Sequence, residues 1–576
     1  MTLLKITIHD RNYSSWSINP DPNPKVGLNC LHPLKEKLFS KDTFTVKDYQ
    51  NTNTNANSVQ IVHSPIRSGI PIAAVLILLG NKTFGRHNKN KLLYKCIPDD
   101  AALPIFLVPY EMKNVGFSKV FKNMYVTISF HEWIDKHPTA TLQHVIGPVD
   151  DLTSFYEYQL YCKELNHSIN KFQKDVSKAF KNSPHDAFIE NIKTRYPSIK
   201  DRTQDPWYIF SIDPLGSLDF DDAFSIQDTK YNNIPVKKIS IYISNVSIWI
   251  DILNLWDSFT RRISTIYLPD KKRPMMPAAL GDGICSLQQN VTRIALTLDI
   301  YLSDDVIVKT EYCNAFINVR KNYCYEEPNL LNDSQYCNLL HTVNSFSQKT
   351  SKTSSNINDS HELVSFLMIL MNHHCARELA KYRSKGIFRK TIPSTRILES
   401  AVPDLKSFAG NYVEFSDSLH HETLGLDTYI HITSPIRRIV DLLNIIVFQN
   451  IVMNFHELSS NSITFYDKWI VDLDYINISM RNIRKVQSDC ELLDLCNKTP
   501  NILTTIFDGY LLELIERNES HLLCYSVYLP KLKLFSQTYI PPDFLINNTL
   551  QKFQLFLFHD EERFRKKIRI QIISSC

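Results

Sequence analysis

Glycine is scarce in this chain, with 13 in 576 residues. That leaves little room for the glycine-rich loops that cradle nucleotide phosphates, and the nearest candidate fails. Gly80 to Arg86 (GNKTFGR) has the glycine spacing of a P-loop, but Arg86-His87 stands where Lys-Ser/Thr must hold phosphate and Mg²⁺. Twelve cysteines are present without one CxxC pair, so neither a zinc site nor a disulfide framework is indicated. Reduced thiols in an intracellular protein are the simple expectation. The longest apolar run, Ile70 to Leu79 (IPIAAVLILL), falls far short of the ~20 residues of a membrane-spanning helix. The N-terminus lacks a basic start followed by an apolar stretch, so no secretory signal is read. Other chemistries fall away as well. HELVS at 361 begins like a zinc-metalloprotease helix, yet Ser365 replaces the second His. No G-x-S-x-G elbow occurs. His373-His374 and His420-His421 read as polar surface or capping residues before they read as ligands.

What is present is ordinary for a large soluble protein: 43% hydrophobic and 22% charged residues. The length implies about three to five domains. Abundant Asn, Lys and Ile are taken as a coding bias. A net charge of +4 fits nucleic-acid binding without demanding it.

Along the chain, residues 1–64 are rich in Asn, Ser, Thr and Pro with only short strand-like pieces, and DYQNTNTNANS (48–58) reads as a loop. From 65 to 150, short apolar strands separated by turns predict a small barrel. Lys82, Arg86, Lys89, Lys91 and Lys95 interleave there with Phe84 and Tyr94. Basic and aromatic residues on a barrel suit an oligonucleotide-binding (OB) fold; a solvated charged face is the plainer alternative. The segment opening at 151 (DLTSFYEYQLYCKELNHSINKFQKDVSKAF) lacks Gly and Pro and predicts a connecting helix within a connector at 151–198. A mixed strand-and-helix region spans 199–497, including a nearly all-apolar helix at 362–382 and a helical stretch at 465–497. Strands return at 498–576, a second candidate barrel ending in Arg563, Arg565, Lys566, Lys567 and Arg569. Those charges either guard a terminal strand against aggregation or contact phosphate. The expected fold class is multidomain, α+β with all-β parts.

The strongest chemical signal is IFSIDPLGSLDFDDAF at 209–224. A short apolar strand delivers Asp213, Pro214 and Gly216 turn the chain, and Asp219, Asp221 and Asp222 follow. Carboxylates this close repel one another, and a hard divalent cation such as Mg²⁺ is the usual reason to gather them. An EF-hand is excluded by Leu215 at its third position and no Glu at its twelfth. An exposed acidic turn is the remaining alternative on these residues alone.

Three segments in order resemble the ribonuclease II family, which includes ribonuclease R and the Dis3-type exosome enzymes. They are DPLGSLDFDDA (213–223), STIYLPDKKRPMMPAALGDGICSLQQNVTRIALTL (264–298) and YIHITSPIRRIVDLL (429–443). The barrel at 65–150 resembles that family's second cold-shock domain through LPIFLVPYE and HEWIDKHP, and 498–576 resembles its S1 domain. No PIN-type nuclease domain is read ahead of these, and 1–64 would be an extension or a reduced first cold-shock domain. The drift from the family pattern suggests a viral or similarly divergent member.

The resemblance implies an RNB catalytic domain at 199–497 flanked by OB-type barrels. It implies a Mg²⁺-dependent (or Mn²⁺-dependent) hydrolytic 3′→5′ exoribonuclease that degrades single-stranded RNA processively to nucleoside 5′-monophosphates. Asp213, Asp219, Asp221 and Asp222 would hold metal, with Asp222 and Arg437 catalytic. Tyr267, Tyr325, Arg293, Arg437 and Arg438 would contact RNA, with an ion pair to Asp441 as the alternative for Arg438. The protein is expected to be a monomer without membrane contact, in the cytoplasm, or in host cytoplasm or virion if viral. Departures from the family pattern matter. Both glutamates of the family's "EEFM-LAN" helix are missing at Ser365–Asn372, Asn245 replaces an Asp, and Ile445 replaces a His. They motivate the alternative of a catalytically weakened RNA-binding or RNA-degradation scaffold protein.

Overall fold

The computed structural model describes residues 3–19, 31–47, 58–88, 91–111, 121–181, 185–350, 356–383, 385–393, 408–416, 418–517, 523–532, 534–541, 550–561 and 564–573; most of the Asn-rich tract (48–57), Lys89 and Arg563 lie outside them. The chain divides into two compact units. One combines Met1–Asn166, Leu268–Asp270 and Lys485–Cys576; the other combines His167–Tyr267 and Lys271–Arg484.

In the first unit, strands Leu4–Ile8, Trp16–Asn19, Thr43–Lys47 and Ser58–His63 form an antiparallel sheet. Its strands are short, but Leu4, Ile6 and Ile8 alternate inward and join Phe39 and Phe44 in one apolar cluster with Ile72, Phe106 and Trp133 of the following barrel. Arg67 pairs with the fully buried Asp42 at 2.7 Å beneath that cluster. The barrel runs Ile72–Leu76, Met124–Glu132, Thr139–Pro148, Phe106–Tyr110 and Lys91–Pro98, and the last strand pairs back to the first, closing five strands. Of its two named rings, Phe84 is partly exposed with Lys95 4.8 Å over it, whereas Tyr94 is buried and donates to Asn81.

The C-terminal sheet runs Leu534–Ile540, Leu523–Leu529, Ile506–Arg517, Leu550–Asp560, Arg565–Ile572, and the Thr538 hydroxyl donates to the Ile570 carbonyl to link its outer strands. The terminal basic run is not one surface. Arg565 is buried and ion-paired to Asp99, while Arg569 covers the Phe558 ring at 3.6 Å.

Where one connecting helix was expected in 151–198, the described residues form three, Leu152–Cys162, Asn170–Phe180 and His185–Arg195. Glu164 adopts a left-handed φ of 56° and the Leu165 N–H returns to the Leu160 carbonyl at 2.8 Å, a helix stop that no Gly or Pro announces.

The second unit is built on another closed five-stranded ring: Ile209–Asp213, Asp222–Tyr231, Ile234–Ser244, Thr292–Ser303 and Val306–Cys324. Val306–Cys324 is 19 residues long, so its first part pairs with Thr292–Ser303 and its end with Ile209–Asp213. That closure sets Asp213 opposite Cys324 and brings Tyr325 beside it. Helices Ser334–Thr350, Ser360–Lys381, Ile439–Ile451, Ser460–Ile470 and the start of Leu473–Lys498 complete the unit. Ile439–Ile451 is buried from Ile439 to Gln449 and delivers the SPIRR segment at its N-terminus. These folds are OB-type barrels with a mixed α/β domain whose sheet is barrel-like.

Candidate active site

The four aspartates are presented by two adjacent strands and the loop between them. Asp213 ends the buried strand Ile209–Asp213, and Asp222 begins Asp222–Tyr231. Between them Gly216 takes a φ of 82° and the Ser217 N–H bonds the Pro214 carbonyl at 3.1 Å. A side chain at Gly216 would meet no neighbour, so the glycine serves the left-handed turn itself. Ser286 then pins the returning loop: its hydroxyl donates to the Leu218 carbonyl at 2.7 Å and accepts from the Phe220 N–H at 3.0 Å.

The structure divides the four carboxylates. Asp221 is buried and accepts from the Ile436 N–H and from Arg437 Nε, each at 3.0 Å. Asp219 accepts from Lys272 Nζ at 2.9 Å and, more weakly, from the Tyr267 hydroxyl at 3.4 Å. Asp213 Oδ2 and Asp222 Oδ2 are buried and have no hydrogen-bond partner among the described residues. Burial pushes the Asp213 carboxyl up to about 7; the charges of Asp221 and Asp219 add to this, and Ser211 and Arg437 oppose it. Asp221 is likewise raised to about 7 by burial, against the pull of Arg437 and the Ile436 N–H. Asp222 is raised well above its ordinary value by burial and then by Asp213 and Asp221.

Among the described residues, no three Asp, Glu, His or Cys side chains are already arranged round one ion position. The reason is visible in the pairing, because Asp219 and Asp221 are turned to Lys272 and Arg437. The orphaned oxygens of Asp213 and Asp222 nonetheless fit a hard divalent cation, which would satisfy both acceptors and offset the cost of burying neighbouring negative charges.

Arg437 faces this pair with its side chain 44% exposed. Its amino group donates to Ser434 at 3.1 Å, and its carbonyl accepts from the Thr265 N–H and the Ser264 hydroxyl, each at 2.9 Å. Tyr325 donates its N–H to the Asp213 carbonyl, and its ring stacks on His361 at 3.8 Å and 9°. Tyr267 stands 37% exposed beside Asp219.

Two residues expected to touch RNA are turned inward. Arg438 pairs with Asp441 at 2.9 Å, and Asp441 in turn accepts from the Ser434 N–H. Arg293 is buried and donates to the carbonyls of Ser286 at 2.7 Å and Gly283 at 3.2 Å, so it braces the segment from which Ser286 holds the aspartate loop. Lys272, Asp282 and Ser286 lie inside the 264–298 segment without an expected role of their own, and His361 was weighed only as the start of a failed zinc motif. The departures are also accommodated. Asn245 is buried and donates to Asn314 and Gln449, each at 2.9 Å, and Ile445 is fully buried. Asn372 bonds Tyr429, Thr433 and the Ile432 N–H.

Residues 202–336 match the family model for the RNB domain. Ribonuclease R of Mycoplasmopsis pulmonis is 29% identical over 181 residues, 31% of this chain and 23% of that protein. The exosome complex exonuclease RRP44 of Mus musculus is 31% identical over 132 residues, 23% of this chain and 14% of that protein. The chain thus aligns with less than a quarter of either curated relative's length. In fold it matches Mycoplasma genitalium RNase R in complex with ribose methylated single-stranded RNA, with a TM-score of 0.65 at 15% identity over 99% of this chain and 100% of that one. It also matches yeast Ssd1, described as a pseudonuclease, with a TM-score of 0.57 at 13% identity over 96% of this chain and 80% of that one. The Asp-rich turn and the strands that carry it thus fall within the segment similar to the RNB domain, in a chain whose fold is similar to that of ribonuclease R.

Proposed function

We propose that the protein is a Mg²⁺-dependent, hydrolytic 3′→5′ exoribonuclease that shortens single-stranded RNA processively and releases nucleoside 5′-monophosphates. The observation that carries this is the pairing of two unpartnered, buried carboxylate oxygens, on Asp213 and Asp222, with a half-exposed guanidinium that Asp221 holds in place. Asp213 and Asp222 would hold the ion. When bound, it supplies an activated water and offsets the charge on the leaving oxygen.

The remaining work falls to the protein's own groups. Arg437, anchored through Nε, offers its fork to the oxygens of the scissile phosphate and stabilises the added negative charge. The Tyr325–His361 stack beside Asp213 supplies a flat surface for a base, and Tyr267 supplies a second ring. Water oxygen joins phosphorus, the bond to the O3′ of the shortened chain breaks, and the released nucleoside keeps the phosphate on its 5′ oxygen. The two barrels at 65–150 and 498–576 would hold the RNA upstream of the cut. The ribonuclease R relatives and the RNA-bound neighbour support this assignment.

The test is 5′-labelled oligo(A) resolved on a sequencing gel, with wild type and Asp222→Asn, each with Mg²⁺ or EDTA. Stepwise shortening by wild type in Mg²⁺ alone is expected; RNA binding with no shortening in any divalent metal overturns the assignment. One observation favours a second function, an RNA-binding protein with weakened catalysis: two of the four aspartates are engaged by Lys272 and Arg437. The fold neighbour Ssd1 is a pseudonuclease. Binding without cleavage in that gel is its signature.

A further inference from the structure

We propose that Lys272 is a built-in cation of the active site: its ammonium holds Asp219 and Asp282, so that the RNA-free protein takes up a single exchangeable divalent ion, at Asp213 and Asp222. This rests on the metal assignment above and divides the four aspartates by role.

Lys272 Nζ donates to Asp219 Oδ1 at 2.9 Å and to Asp282 Oδ1 at 2.7 Å. The three side chains are 28%, 13% and 23% exposed, so water screens these contacts far less than it screens a surface pair. Both partners are fixed by backbone. Lys272 lies opposite Tyr267 in a two-stranded hairpin, and from that rung the ammonium and the phenol reach the two oxygens of Asp219. Asp282 sits in the turn Ala279–Ile284, where Gln288 Nε2 donates to its carbonyl at 2.7 Å. A divalent ion seeking Asp219 must therefore displace a bidentate ammonium. An ion seeking Asp213 and Asp222 meets two oxygens that no group among the described residues satisfies.

The number of ions bound without RNA tests this, read as the loss of free Mn²⁺ signal by electron paramagnetic resonance. Wild type is expected to bind one Mn²⁺ per chain, Lys272→Met two and Lys272→Arg one. Circular dichroism and the unfolding midpoint establish that each variant is folded. Should Lys272→Met fail to fold, Asp219→Asn and Asp213→Asn decide the matter: the first is expected still to bind one Mn²⁺ per chain and the second to bind none. Two ions on wild type, one on folded Lys272→Met, or no Mn²⁺ on Asp219→Asn overturns the proposal while leaving the metal assignment standing. No Mn²⁺ on wild type overturns both.

Discussion

Replacing Asp213 by Asn is expected to stabilise the metal-free protein at neutral and alkaline pH and to abolish its stabilisation by Mg²⁺. In the folded, metal-free state the carboxyl titrates at about 7 against an ordinary 3.8. Between those values the folded state keeps a proton that the unfolded state releases, so stability is fully present below the unfolded value and is lost as pH rises through the folded one. At ~1.4 kcal/mol per pH unit, the ionised group costs on the order of 4 kcal/mol above pH 7. That cost belongs to Asp213 and Asp222 jointly because the two titrate together. Asn removes the charge at similar volume, so urea unfolding at pH 8 in EDTA should favour the variant by up to that amount, and at pH 4 the difference should nearly vanish. Adding Mg²⁺ at about one hundred times its dissociation constant should return ~2.7 kcal/mol to wild type and nothing to the variant. A variant less stable than wild type in EDTA at pH 8, or one stabilised equally by Mg²⁺, refutes the reasoning.

Arg437→Lys should lower kcat by roughly 10²–10³ with little change in RNA affinity, because an ammonium cannot both hold Asp221 and present a planar fork; single-turnover kinetics with a filter-binding control would show it. Tyr325→Ala should weaken RNA binding by ~1–3 kcal/mol in fluorescence anisotropy, and Tyr325→Phe should retain it, since the ring stacks and the hydroxyl does not. Ser286→Ala removes both bonds that pin Leu218 and Phe220, and should cost ~1–3 kcal/mol in chemical unfolding.

The parts of the site that were legible in the sequence are those built locally. Asp213, the turn at Gly216 and Asp222 fall on one strand–turn–strand unit, so their order alone suggests convergence. Arg437 lies 216 residues from Asp221, and no periodicity links them; only the likeness of SPIRR to a family segment did. The same likeness could not show which motif arginines face the Asp213–Asp222 pair. Arg438 and Arg293 carry the same charge as Arg437, but a nearby Asp441 and a ring of backbone carbonyls claim them. The roles of Lys272 and His361 were not legible because they depend on a two-residue hairpin and on a helix face, each set by tertiary packing. In the fold, alternating strands marked the barrels, but closure of the ring around Asp213 depends on one long strand serving two partners. The helix break after Cys162 was hidden because a non-glycine residue takes the left-handed position.

The central claim is hydrolysis from the 3′ end, and the most direct measurement identifies the earliest labelled products from poly(A) labelled only in its 3′-terminal nucleotide, in Mg²⁺ and ¹⁸O-enriched water, by thin-layer chromatography and mass spectrometry. The account predicts adenosine 5′-monophosphate carrying one ¹⁸O on phosphorus from the first turnovers, none of it from Asp222→Asn. Oligonucleotides of scattered length, nucleoside diphosphates, or intact RNA would contradict it.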